Sequence, residues 1–155
     1  MTRIRLALPD QEATRTFGAR LAGVIRPGDV IALRGALGAG KTELARALIR
    51  ARAGAAIEVP SPSYTLVQDY RLGDLMIRHI DLYRIADAAE LLELGLDVPA
   101  PDEAWLIEWP ERAGAALPPD RLEVEMRQGD APDSRLAEVT AGPCWEQRLH
   151  ALRGI

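Results

Sequence analysis

Lysine is almost missing from this chain. Of its 155 residues 19 are basic, and only Lys41 is a lysine, the other eighteen being arginines. Any chemistry that needs a compact ammonium therefore has one candidate. Cysteine is as scarce: Cys144 stands alone, so no intramolecular disulfide can form, and the reducing cytoplasm is the expected compartment. The opening ten residues lack the apolar core of a secretory leader. No apolar run approaches the roughly eighteen residues of a membrane span, because arginines and acids interrupt each one, so no membrane association is expected. The charge excess of a lone nucleic-acid binder is also absent, since the net charge is -4, although a local basic face is compatible with that total. With 48% hydrophobic and 27% charged residues, the composition excludes a disordered or collagen-like chain. No repeat, low-complexity tract or linker divides it, and one domain over residues 1–155 is the expectation.

Periodicity fills in the elements. Ile4, Leu6 and Leu8 alternate with Arg3, Arg5 and Ala7, which reads as a strand ended by Pro9. Asp10 suits a helix N-cap, and Ala13, Phe17, Leu21, Val24 and Ile25 recur at helical spacing until Pro27 and Gly28 break the pattern. Val30 to Leu33 is a compact apolar run between glycines, as for a strand buried on both faces. Leu44, Ala45, Leu48 and Ile49 mark one face of a helix ending near Gly54. Tyr64 to Tyr70 and Leu75 to Tyr83 read as a hairpin turning through Leu72, Gly73 and Asp74. A short helix over Ala88 to Leu94, closed by Gly95, a loop over Val98 to Asp102 and a strand over Ala104 to Ile107 follow. Strands over Arg121 to Met126 and Leu136 to Thr140 and a helix over Trp145 to Arg153 complete the chain. This order predicts an α/β fold with a mixed sheet, and the glycine-rich turn after Val30 to Leu33 adds the expectation of a P-loop NTPase-like, three-layer form with a mainly parallel sheet.

The turn between the buried strand and its helix carries the most specific pattern. Gly35, Ala36, Leu37, Gly38, Ala39, Gly40, Lys41 and Thr42 match G-x-x-x-x-G-K-[ST] at every fixed position. By composition alone such a match arises in roughly one chain of this length in two hundred. Glycines allow the backbone angles that turn successive N–H groups inward, and the following helix adds its positive end, which makes an anion-binding concavity. Lys41 would reach the β- and γ-phosphates, and the Thr42 hydroxyl would ligate Mg²⁺. A nucleotide site also needs a strand-end carboxylate. Glu108 closes Ala104-Trp105-Leu106-Ile107 and Asp81 closes Met76-Ile77-Arg78-His79-Ile80. Glu108 is favoured for the metal, directly or through water, because its strand reads as central, while Asp81 would order water or metal opposite. Guanine readers of the Ras type need a second lysine in N/T-K-x-D. This chain has none, so ATP is the expected nucleotide.

Taken in order, these segments resemble the TsaE (YjeE) family, the small ATPases of bacterial tRNA threonylcarbamoyladenosine biosynthesis. The likeness runs through the loop Gly35 to Thr42, Ser61-Pro62-Ser63-Tyr64-Thr65-Leu66-Val67, His79-Ile80-Asp81-Leu82-Tyr83-Arg84, Leu94-Gly95, Glu108-Trp109-Pro110 and Leu117-Pro118. The resemblance implies a weak, partner-stimulated ATPase using ATP and Mg²⁺. In that family the transfer itself belongs to a carbamoyltransferase, TsaD, with its paralogue TsaB, on which the ATPase docks. By position it implies that Lys41 and Thr42 hold phosphate and Mg²⁺, and that Asp81 and Glu108 serve the catalytic metal site. Trp109 would belong to the functional surface beside it. Ser61, Ser63 and Thr65 would lie in a mobile switch beside the γ-phosphate, and Thr14 near the adenine. Ser63 stands where the family usually has threonine, which keeps the hydroxyl. Glu43 stands where a second hydroxyl is common, and it adds negative charge near the phosphates. The resemblance implies an indirect contact with tRNA or leaves that contact undecided.

Two further readings differ in class. One is a small-molecule kinase on the same loop, with Arg71, Arg78 or Arg84 clamping the acceptor. The other is a nucleotide-gated scaffold that hardly turns ATP over. His79 lies at period two from Asp81, so it is either a packed, hydrogen-bonded histidine or a partner of Asp81. Tyr83 and Arg84 face a partner, the nucleotide or only solvent. Trp105 and Trp145 read as packing residues, Cys144 and His150 carry no readable chemistry, and Arg148 and Arg153 either touch RNA or mark a solvated helix.

Overall fold

A computed structural model describes residues 2–153. Seven strands form one sheet in the order β1-β7-β6-β2-β5-β4-β3: β1 (Thr2–Leu8), β2 (Val30–Arg34), β3 (Val67–Leu72), β4 (Leu75–Asp81), β5 (Glu103–Glu108), β6 (Leu122–Gln128) and β7 (Arg135–Ala141). Strands β6, β2, β5 and β4 run parallel to one another, with β7 and β3 antiparallel to their neighbours, so five of the seven point the same way. The sheet is mixed and mainly parallel, as the sequence implied. β2 pairs in parallel on both sides, which accounts for its unbroken apolar sequence.

Two helices and the C-terminal segment cover one face. In α1 (Gln11–Val24) the Asp10 side chain caps the start by accepting from Ala13 N at 2.8 Å. α2 (Lys41–Ala53) ends at Gly54 in the left-handed conformation. Phe17 and Leu21 from α1 and Leu44, Leu48 and Ile49 from α2 join Ile31, Leu33, Ile77, Leu106 and Val124 of the sheet in the main core. The opposite face buries Val30, Ile80, Trp105 and Ile107 under α3 (Ala89–Glu93), Leu82, Ile85 and the 3₁₀ turns Pro110–Arg112 and Gly114–Ala116. That makes three layers. Asp81 and Glu108 share the parity of Ile77 and Leu106, so the period-two rule aims both toward α2.

Three expectations change. β3 begins at Val67 rather than near Tyr64, because Leu66 bonds back to Pro62 O at 2.8 Å and takes a φ of 68°, curling the preceding segment into turns. The hairpin turn is shorter than expected: Leu72 pairs with Leu75, leaving only Gly73 and Asp74, with Gly73 at φ 66°. The last helix is a run of 3₁₀ turns starting at Pro143 and reaching Leu152. Tertiary anchors hold it: Cys144 N donates to Asp120, and Arg148 makes a bidentate ion pair with Asp29 at 2.7 and 3.0 Å. Trp105 and Trp145 are buried packing residues, as expected.

Candidate functional site

The site forms where β2 ends and α2 begins. Gly35 sits at φ 142°, and a Cβ there would lie 2.5 Å from the Met126 carbonyl oxygen on β6, so only glycine fits. Gly38 and Gly40 also have positive φ, which lets the loop wrap around a hollow before α2 starts at Lys41. This hollow, about 360 Å³, is lined by the loop together with Ser63, Asp81, Glu108, Trp109 and Arg135. Leu37, at the tip, is three-quarters exposed. Gly35, Ala36 and Ala39 form the back of the loop, and Ala36 and Gly35 supply carbonyls.

Lys41 is buried. Its Nζ donates to Gly35 O at 2.5 Å and to Ala36 O at 3.0 Å, and lies 4.2 Å from the centroid of the Trp109 ring. Burial lowers its pKa below the ordinary 10.5, against the opposing pull of Glu108, Glu111 and Asp81. Beside it, the Thr42 hydroxyl donates to Glu108 Oε1 at 2.8 Å. Glu108 and Asp81 face each other in register at the ends of β5 and β4, and both are buried. The other oxygen of Glu108 is 2.6 Å from His79 Nε2, so His79 partners Glu108 rather than Asp81.

Asp81 is held differently. Its Oδ1 accepts from Tyr83 N at 2.9 Å and its Oδ2 from Ser63 Oγ at 3.2 Å, with Ser61 Oγ 2.7 Å beyond Ser63. Ser63 therefore lines the hollow, and Ser61 reaches it only through Ser63. Thr65 accepts from Gln68 Nε2 instead and does not line the hollow. Tyr64 is exposed and stacks under Arg84. Trp109 takes the left-handed conformation at φ 59°, which turns its ring over Lys41 and against Tyr83, 4.9 Å away.

Thr14 lies outside the main hollow, on a second cavity of about 350 Å³ between α1 and α2. The two cavities share Gly40, Glu43 and Arg135. The Glu43 carboxylate is bound by Arg46 at 2.8 Å, so its charge is compensated locally, which softens the expected repulsion of phosphate. Arg71 pairs with Asp102 and Arg78 with Asp69, and neither lines the hollow, so two of the three arginines proposed to clamp a kinase acceptor are engaged elsewhere. Arg135 was not legible as a site residue. It stands at the start of β7, and only the insertion of β7 between β1 and β6 brings it to Gly40, where its Nε would lie 3.2 Å from an added Cβ. Glu111, in the 3₁₀ turn directly after β5, also acts on the Lys41 charge through space and was not singled out from the sequence.

The adjacent hydroxyl and carboxylate of Thr42 and Glu108 are hard oxygen donors of the kind Mg²⁺ prefers. Among the described residues, no group of three histidines, cysteines or acids could hold an ion alone. A partial protein shell completed by phosphate oxygens and water is the arrangement usual for nucleotide-bound Mg²⁺. No helix among the described residues is long and apolar enough to cross a membrane.

Comparison with known proteins agrees with the sequence patterns. The model of the family described as threonylcarbamoyl adenosine biosynthesis protein TsaE matches residues 8–136. The protein named tRNA threonylcarbamoyladenosine biosynthesis protein TsaE from Rickettsia bellii is 35% identical over 133 residues, covering 86% of this chain and 92% of its own. Its namesake from Haemophilus influenzae is 36% identical over 140 residues, covering 86% and 87%. The one from Bacillus subtilis is 29% identical over 153 residues, covering 98% and 95%. Among solved structures, the crystal structure of YdiB from Bacillus subtilis superposes with a TM-score of 0.78 at 27% identity, over 97% of this chain and 94% of that one. Matched over most of its length by the family model and by relatives above 30% identity, this chain belongs to the TsaE family of tRNA threonylcarbamoyladenosine biosynthesis.

Proposed function

We propose that the chain is a Mg²⁺-dependent ATPase, weak alone and stimulated by partners, which works in the cytoplasm. Its cycle would drive a tRNA N6-threonylcarbamoyladenosine-modifying assembly without carrying out the transfer. The partners are a TsaD-type carbamoyltransferase and its paralogue TsaB, and tRNA is met through them. One observation carries the reading: the lone lysine, the Thr42 hydroxyl and two buried carboxylates converge on one glycine-lined hollow.

The roles follow from that geometry. Loop N–H groups and the start of α2 bind the phosphates. Lys41 exchanges the carbonyls of Gly35 and Ala36 for phosphate oxygens, as a single charge offsetting the γ-phosphate. Thr42 and Glu108 seat Mg²⁺, which when bound draws negative charge from the phosphate oxygens. Asp81, fixed by Tyr83 N, orients the attacking water, while Ser63 ties that carboxylate to the curled segment before β3. A segment that loses or gains a phosphate contact here would break or make its bond to Asp81, which suits a switch. Arg135 stands between the two cavities and Thr14 lines the second, where the nucleoside fits. Turnover of ATP measured with and without the two partners tests the reading. Stimulation in the mixture and its loss in Lys41→Ala are expected; equal rates throughout would refute it.

A further inference from the structure

We infer that His79 is a positioning residue of this site. It fixes one oxygen of Glu108 so that the other is presented, beside Thr42, to a divalent cation. The inference deepens the ATPase reading and rests on it.

His79 lies on β4 two residues before Asp81 and is fully buried. Register pairs Asp81 with Glu108 and His79 with Leu106, so the imidazole reaches diagonally, from the core side, to the end of β5. Its Nε2 is 2.6 Å from Glu108 Oε2. Thr42 approaches from the opposite side, at the start of α2, and donates to Oε1. The carboxylate is clamped between core and loop.

The imidazole proton has one useful place. Nδ1 is buried and has no hydrogen-bond partner among the described residues, so an N–H there would be an unmatched donor. The N–H therefore sits on Nε2 and donates to Glu108. A cation seated by Oε1 and the Thr42 hydroxyl oxygen would draw on the same two atoms as the bond between them, whereas the bond from His79 holds Oε2, the oxygen that seat would not use. Without the His79 bond, the Glu108 carboxylate, which is 2% exposed, would be free to rotate, and the oxygen seat would lose its aim. Outer partners of this kind typically change metal affinity by about 10- to 100-fold.

The test uses the full chain. Calorimetry compares binding of ADP with and without Mg²⁺ for the wild type, His79→Leu and His79→Gln, whose amide N–H has similar reach. The tautomer of His79 in the wild type is read by nitrogen NMR. In His79→Leu the gain in affinity that Mg²⁺ confers should fall by about 10- to 100-fold, binding of metal-free ADP should stay the same, and His79→Gln should recover most of the loss. A Leu variant that keeps the Mg²⁺ gain, a Gln variant that recovers nothing, or a bare Nε2 in the wild type would each overturn the inference. Should His79→Leu fail to fold, the Gln variant and the tautomer still decide. A wild type that binds ADP equally with and without Mg²⁺ would overturn the metal seat of the ATPase reading as well, which separates the two failures.

Discussion

Replacing Gly35 by alanine tests the loop geometry directly. The new Cβ would sit 2.5 Å from the Met126 carbonyl oxygen, well inside contact distance, in a backbone at φ 142° that side chains rarely adopt. Met126 cannot retreat, because β6 is bonded to β2 on one side and β7 on the other. The dihedral alone costs about 1–3 kcal/mol, and the overlap adds about 1–3 kcal/mol. Gly38→Ala is the control, since its φ of 78° is strained but nothing lies within 4 Å of its Cβ. It should cost only about 1–2 kcal/mol. At about 2–4 °C per kcal/mol for a chain of this size, Gly35→Ala should melt roughly 5–20 °C below the wild type and clearly below the control. Displacing Gly35 also moves one of the Lys41 acceptors, so ADP affinity should fall more in Gly35→Ala than in Gly38→Ala. Thermal melts and calorimetry read both. A Gly35 variant that melts with or above its control and binds ADP normally would refute the packing argument.

Lys41 is the only lysine, so comparison with Lys41→Met isolates its titration. Burial depresses its pKa in the fold, so the unfolded chain binds more protons between the lowered value and 10.5. Wild-type stability relative to Lys41→Met should therefore rise as pH climbs through that interval and level off above it; a flat difference would contradict the burial. Glu108→Gln should weaken the dependence of ADP binding on Mg²⁺ more than Asp81→Asn does, because Glu108 alone contacts Thr42, and titration of Mg²⁺ at fixed ADP separates them. Arg148→Ala should cost about 3–5 kcal/mol by stranding the buried Asp29 carboxylate, with ATP turnover per folded molecule unchanged. Urea melts together with active-site titration check that outcome.

Much of the site was legible before the fold because its signals are local. A glycine pattern, a lysine and a hydroxyl within eight residues specify one turn, and an acid closing an apolar run marks a strand end. The hairpin, the Asp10 cap and the Gly54 stop were legible on the same grounds. The curled Ser61 segment was not, since its hydroxyls acquire a direction only through Asp81 on a strand eighteen residues away. Nor was the partner of His79, which depends on which strand lies beside β4 and in what register.

By itself, then, the sequence determined the order of strands and helices and the chemistry of the glycine-rich turn, because periodicity and turn preference act over a few residues. The tertiary structure alone decided that β7 would enter between β1 and β6 and carry Arg135 to the loop, that His79 would clamp Glu108, and that the final turns would wind as 3₁₀ around the Asp29–Arg148 pair. Those outcomes are fixed by pairing and burial between segments far apart in the chain, which no local pattern encodes.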